Sequence, residues 1–200
     1  MLPGADRLPT VETERLRLRW LIAADIPALS LIFGDAEVCR YWSRPALLDC
    51  AAAAALHGEI VRLFAERSLF QWGIAERETD AVVGTCTLGA LSPEHRRAEV
   101  EFALARAKWG RGYIAEALPA LLSFAFRTLD LHRLEADVDP RNERSIRALE
   151  REGFEREGHL RERYHVNGEL QDAVLYGLLR NDWRIFQRTQ APSIDSRGAT

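Results

Sequence analysis

Two hundred residues, 47% apolar and 28% charged, describe a chain that folds around one ordinary core; a collagen-like repeat and a mostly disordered polymer are excluded. A formal charge of −3 supplies no chain-wide attraction to nucleic acid or to an anionic membrane, so neither is expected as a partner. Cys39, Cys50 and Cys86, an odd set without CxxC or Cys/His spacing, argue against a disulfide framework and structural zinc; with no apolar signal core and no long apolar run, a cytoplasmic protein is expected.

Arg15 to Trp20 alternates Arg with Leu16, Leu18 and Trp20, which predicts a half-buried strand with a solvated arginine face. Asp25 and Pro27 open a short helix that Gly34 stops, and Asp49 to Arg67 carries the apolar stripe of a longer one. Leu69–Ala75 and Ala81–Leu88 form an antiparallel pair across a hairpin-length connection, and Ala98–Leu104 adds a third strand of the meander. Ile114–Leu129 is an amphipathic helix and His132–Val138 a strand, together a βαβ crossover. Asn142–Glu152 is helical and ends at Gly153; Phe154–Val166 and Glu169–Leu179 flank Asn167-Gly168, a strong hairpin signal. Past Asn181 the chain turns polar and a loose tail is expected. The order β α α β β β α β α β β predicts one α+β domain over 12–183, between an N-terminal extension (1–11) and a C-terminal tail (184–200).

The chemistry concentrates in two places. Lys108-Trp109-Gly110-Arg111-Gly112-Tyr113-Ile114-Ala115 sits between a strand and a helix, where two glycines and a helix N-terminus suit a phosphate, with Lys108, the only lysine, and Arg111 adding charge. An ordinary tight turn explains the same residues. Gly110, Gly112 and Ala115 also satisfy G-x-G-x-x-A, with Glu135 near the spacing of a ribose-binding acid, so a nicotinamide-dependent oxidoreductase stands as an alternative. A doubly wound sheet would need repeated βαβ units, and only one crossover is visible. The second place is the helix from Asn142 through Ser145 to Gly153-Phe154.

Taken with Thr13-Glu14-Arg15-Leu16-Arg17-Leu18-Arg19 and Asn167-Gly168-Glu169-Leu170-Gln171-Asp172, these motifs resemble the GNAT N-acetyltransferases, in the branch typified by ribosomal-protein-alanine N-acetyltransferases, over residues 12 to 183. The resemblance implies a mixed, mostly antiparallel twisted sheet of about seven strands flanked by about four helices, with strands splayed at the cofactor. It implies acetyl-CoA as co-substrate without a metal, and acetyl transfer by direct attack of a primary amine, either a protein N-terminal α-amine or a small-molecule amine. Trp109, Gly110, Arg111, Gly112, Tyr113, Ile114 and Ala115 would hold the pyrophosphate, Phe102, Ala103 and Leu104 the pantetheine, and Asn142 and Ser145 the region of the thioester. Trp109 and Ile114 depart from the family loop, and Leu149 occupies the place of a Tyr acid, which leaves Ser145 as proton donor or as helix cap. Glu99 or Glu101 would be the base, with ordered water as the alternative. Tyr164, where some relatives carry Glu, and Asp172 are candidate substrate contacts; a cross-strand pairing explains Asp172 equally. A GNAT-like protein that binds CoA without turnover is a third reading; on any of them a monomer or a homodimer is expected.

Overall fold

The structure, a computed structural model, describes residues 5–190. Among them eight strands form one sheet in the order β1-β2-β3-β4-β5-β6-β8-β7, antiparallel at every junction except β5–β6. The alternating opening segment forms β2 (Leu16–Trp20), against the two-residue β1 (Val11–Glu12) on one side and β3 (Phe70–Glu76) on the other. β3, β4 (Val82–Ser92) and β5 (Arg97–Leu104) make the expected meander. Helix α1 (Ile26–Phe33), the one-turn α2 (Ala36–Cys39) and α3 (Cys50–Ala65) cover one face of the sheet, with a core that includes Leu29, Ile32, Phe33, Ile60 and Ala103.

The crossover from β5 to β6 (Arg133–Val138) runs through α4 (Tyr113–Ser123), which continues as a wider turn over Phe124–Thr128. It covers the other face, where Leu118, Leu121 and Leu122 meet Trp72, Leu88, Val100 and Leu134. After α5 (Glu143–Arg151), β7 (Glu155–Val166) and β8 (Glu169–Leu179) form the closing hairpin, its turn made by Asn167 and Gly168, both with positive φ.

Among the described residues the sheet has eight strands rather than about seven, and there are six helices rather than about four. Two residues of β1 and four of α2 are too short to show a period in sequence. The last difference is larger: where a loose tail was expected from residue 184, α6 (Arg180–Gln190) is helical, because Trp183 is buried against Phe126 at 5.1 Å between ring centroids. The remainder of that predicted tail, 191–200, lies outside the described residues. The arginine face of β2 is also less solvated than its alternation predicts: both Nη atoms of Arg19 donate to the Asp25 carboxylate, at 2.8 and 2.9 Å. Asp25, expected as a cap through its side chain, binds Arg19 and the Ile22 N–H instead.

The parallel junction shapes the molecule. β5 and β6 are in register only at Arg97↔Arg133, Ala98↔Leu134 and Glu99↔Glu135; beyond that they part, β5 remaining with β4 and β6 with β8. At the tip of β5, Gly84 of β4 lies opposite Leu104, and a Cβ there would run into the Ala103 carbonyl and the Leu104 main chain. We expect Gly84→Ala to cost about 1–3 kcal/mol of stability by forcing β4 from β5. Chemical denaturation checks this; unchanged stability would show that the strand ends are loosely held.

Candidate active site

The opening between β5 and β6 is a cavity of about 240 Å³. Its β-sheet wall includes Glu99, Glu101 and Phe102 of β5 with Asp137 of β6. Asn142, Ser145 and Leu149 of the α5 region, Tyr164 of β7 and Asp172 of β8 close one side; Tyr41, Trp42 and Arg44 of the α2–α3 connection close the other. All three expected catalytic residues and both expected substrate residues thus line one cavity.

Carboxylates in this wall have different fates. Glu135, where the strands still pair, accepts from Arg97 and from Arg133, each at 2.7 Å, and Arg133 also holds Glu157. Across the ladder that neutralisation stops: Glu99, in register with Glu135, and Glu101, two residues further along β5, have no ion pair or side-chain hydrogen bond among the described residues. They share a strand face about 7 Å apart, and Gly89 of β4, without a side chain, leaves room for Glu101. Burial, followed by repulsion from Glu135 and Asp137, pushes the Glu99 carboxyl above its ordinary range. Burial, then the charge of Glu99, does the same to Glu101, which still meets solvent through the cavity while protein crowds its other sides.

Asp137 accepts a hydrogen bond from Tyr164 Oη at 2.8 Å on Oδ2, and Arg163 lies 3.5 Å from the same oxygen; its Oδ1 is buried without a partner among the described residues. Burial and that carboxylate raise the Tyr164 phenol to about 12. Asp172 faces the cavity, but its oxygens are engaged: Oδ1 accepts from the Glu162 N–H at 2.8 Å and Oδ2 lies 2.7 Å from His159 Nε2, an arrangement that braces the bulge in β7. This is the cross-strand pairing that the sequence allowed as an explanation.

On α5 the cap is Asn142, whose Oδ1 accepts the Ser145 N–H at 3.2 Å. Ser145 is therefore not the cap, and its hydroxyl is free to act in the cavity. Leu149 is buried in the wall and offers no proton.

The glycine loop lies apart from this cavity, at the start of α4. Gly110 and Gly112 have φ of 74° and 75°, left-handed conformations that favour glycine. No N–H from Gly110 through Ala115 finds an acceptor among the described residues; the first helical bond runs from the Glu116 N–H to the Gly112 carbonyl. A row of unpaired donors at the positive end of a helix fits a diphosphate. Lys108, expected to add charge, is already bound to Glu76 at 2.6 Å, and Glu76 also accepts from Tyr113 Oη at 2.7 Å. Trp109 ties the loop to the end of β5 by donating from Nε1 to the Leu104 carbonyl at 2.9 Å, while Arg144 of α5 lies 4.8 Å over its ring. Ile114 packs on the core. Neither departure blocks the row of N–H groups. Among the described residues no cluster suited to a metal ion occurs, and no helix is long and apolar enough to cross a membrane.

Sequence reasoning missed several wall residues. Gln71 is a buried polar side chain in a strand otherwise made of Phe70, Trp72, Gly73, Ile74, Ala75 and Glu76, and that interruption of its apolar run was the available signal. Asp137, next to last in β6, continues the alternation that begins at Arg133, so its face was legible but its neighbours were not.

A forked, mostly antiparallel sheet with a phosphate-type loop at one mouth and an acidic cavity at the other defines an acyl-CoA-dependent transferase. The chain belongs to the GNAT acetyltransferase family: residues 15–155 match the acetyltransferase (GNAT) domain. It is 34% identical over 176 residues to the uncharacterized N-acetyltransferase p20 of Bacillus licheniformis, covering 88% of this chain and 99% of that relative. A crystal structure of an acetyltransferase from T. thermophilus superposes with a TM-score of 0.77 at 34% identity, over 91% of this chain and 95% of that one. The [Ribosomal protein uS5]-alanine N-acetyltransferase of Escherichia coli is 28% identical over 127 residues, 63% of this chain and 66% of its own length. The protein is an N-acetyltransferase that uses acetyl-CoA and acetylates an amine. The oxidoreductase reading fails: the sheet has a single parallel junction among the described residues, and Glu135 is sequestered by two arginines instead of facing a ribose.

Two outcomes test this geometry. Valine at Gly112 must adopt a left-handed conformation costing about 1–2 kcal/mol, so Gly112→Val should weaken acetyl-CoA binding about tenfold in a folded protein, measured by calorimetry. Glu101 binds its proton more readily in the folded state than in the unfolded chain. Its contribution to stability is thus fully present below the unfolded pKa, near pH 4, and is lost as pH rises through the folded value. Glu101→Gln should therefore melt above wild type at pH 7, with the gap closing under acid conditions.

Proposed function

We propose that the acceptor is a primary amine delivered as its ammonium form between Glu99 and Glu101, and that it is the α-amine of a protein N-terminus with a small first residue. The observation that carries this reading is the break in charge pairing along the fork, which leaves these two carboxylates unneutralised where Glu135 is doubly paired. A cavity of about 240 Å³ suits an amine with one short residue and leaves the rest of a chain outside. The relationship to an enzyme named for an alanine N-terminus supports the same class. A small-molecule primary amine is the second reading, favoured by the acidity of the wall alone.

The row of N–H groups at Gly110–Ala115 and the free edge of β5 past Glu99 are the seats for the diphosphate and for Phe102–Leu104 contacts to the pantetheine. Acetyl-CoA supplies the activated acyl group. Glu99 or Glu101 holds the ammonium and takes its proton; a carboxylate with a raised pKa is a better base near neutral pH than an ordinary one. The amine nitrogen then bonds to the acetyl carbon as the carbon–sulfur bond breaks; Ser145 Oγ–H, freed from capping by Asn142, protonates the leaving sulfur, and its oxygen takes up the proton that the new amide nitrogen sheds, which restores the hydroxyl. Tyr164 stays fixed on Asp137 as part of the acceptor wall. Cys39, Cys50 and Cys86 are free thiols, in keeping with work in a reducing cytoplasm.

Incubation with labelled acetyl-CoA and matched peptides tests the acceptor: peptides with a free N-terminal alanine or serine should be labelled and N-terminally blocked copies should not, whereas labelling of diamines alone would favour the second reading. Ser145→Ala should lower kcat about 10²-fold while the acetyl-CoA Kd stays unchanged, since the cap is elsewhere. Unaltered turnover would remove Ser145 from proton delivery.

A further inference from the structure

Arg15, at the head of β2, lies 96 residues from Arg111 in sequence, yet its guanidinium bonds to that loop residue and lies beside the two that follow it. Nη1 donates to the Arg111 carbonyl at 3.0 Å, and Nη2 lies 3.6 Å from where a Gly112 Cβ would stand. The group also sits 5.1 Å over the Tyr113 ring. Nε donates to Glu116 Oε2 at 2.7 Å, while Oε1 of the same carboxylate accepts from the Arg15 main-chain N–H and from Thr13 Oγ1, each at 2.6 Å. Glu116 stands in the first turn of α4, where its charge would oppose an anion at the helix N-terminus. Arg15 neutralises it, and hydrogen bonding to Thr13 and Arg15 holds the carboxyl low despite burial. Nη2 is the one guanidinium nitrogen of Arg15 without an acceptor among the described residues. Of the other cations near the loop, Lys108 is committed to Glu76 and Arg106 to Asp35, while Arg111 of the loop itself has no ion pair among the described residues.

We propose that Arg15 completes the diphosphate site. It positions the loop through the Arg111 carbonyl, cancels the Glu116 charge beneath it, and presents Nη2 to a phosphate oxygen of acetyl-CoA. The Thr13-x-Arg15 segment thereby serves the cofactor from 96 residues before the loop.

The test is calorimetric binding of CoA, and of pantetheine, which lacks the phosphates. Arg15→Ala should raise the CoA Kd about tenfold, as expected for loss of one charge-assisted hydrogen bond, with the pantetheine Kd unchanged. Arg15→Lys, which keeps the charge but not the fork, should lie between the two and serves if the alanine variant does not fold. Arg17→Ala is the control for net charge, because Arg17 pairs with Glu12 and Asp80 away from the loop, and it should bind CoA as wild type does. Unchanged CoA affinity in Arg15→Ala or Arg15→Lys, an equal loss in Arg17→Ala, or a proportional loss for pantetheine would overturn the proposal.

Discussion

The parting of β5 from β6 after three residue pairs is the constraint on which the site depends. Each strand is anchored on its outer side, β5 by β4 and β6 by β8, so the fork is a fixed gap rather than a frayed edge. Strand twist favours the divergence of two parallel neighbours held by different partners. The gap exposes a free strand edge to a ligand, and the crossover that joins the two strands necessarily begins with the turn into α4. The phosphate-type loop and the acidic cavity are therefore two ends of one topological feature.

Charge placement follows the same division. Away from the cavity, carboxylates are matched by arginines: Glu135 with Arg97 and Arg133, Glu157 with Arg133, Asp25 with Arg19. From the last pair of the ladder onward, Glu99 and Glu101 are left to compete with water and with each other. An unneutralised pair in a partly enclosed site opposes folding at neutral pH, the kind of local cost that active sites carry when chemistry needs a basic group. The glycine loop shows the complementary device, a row of unpaired N–H groups with neighbouring acids Glu76 and Glu116 each matched by a cation.

Local signals were legible in the sequence. The two-residue period of β2 and β5, the Asn167-Gly168 hairpin and the glycines before α4 all give the elements they predict, because each is decided within a few residues. Features decided across the chain were not legible. That Ser145 is capped rather than capping depends on the rotamer of Asn142; that Lys108 is unavailable depends on Glu76 at the end of β3. The helical α6 hides in a polar stretch because one buried Trp183 outweighs its composition. Arg15 looked like one of three equivalent surface arginines, and its attachment to Glu116 and Arg111 exists only once β2 and α4 are packed.

The central claim is that the unpaired carboxylates of the fork are where the acceptor amine loses its proton. The pH dependence of kcat/KM, measured for the wild type and for Glu99→Gln and Glu101→Gln, tests it most directly. The account predicts a wild-type acid limb above the ordinary carboxylate range, and loss or displacement of that limb with a large fall in kcat/KM in at least one variant. Superimposable profiles and rates for all three proteins would contradict it.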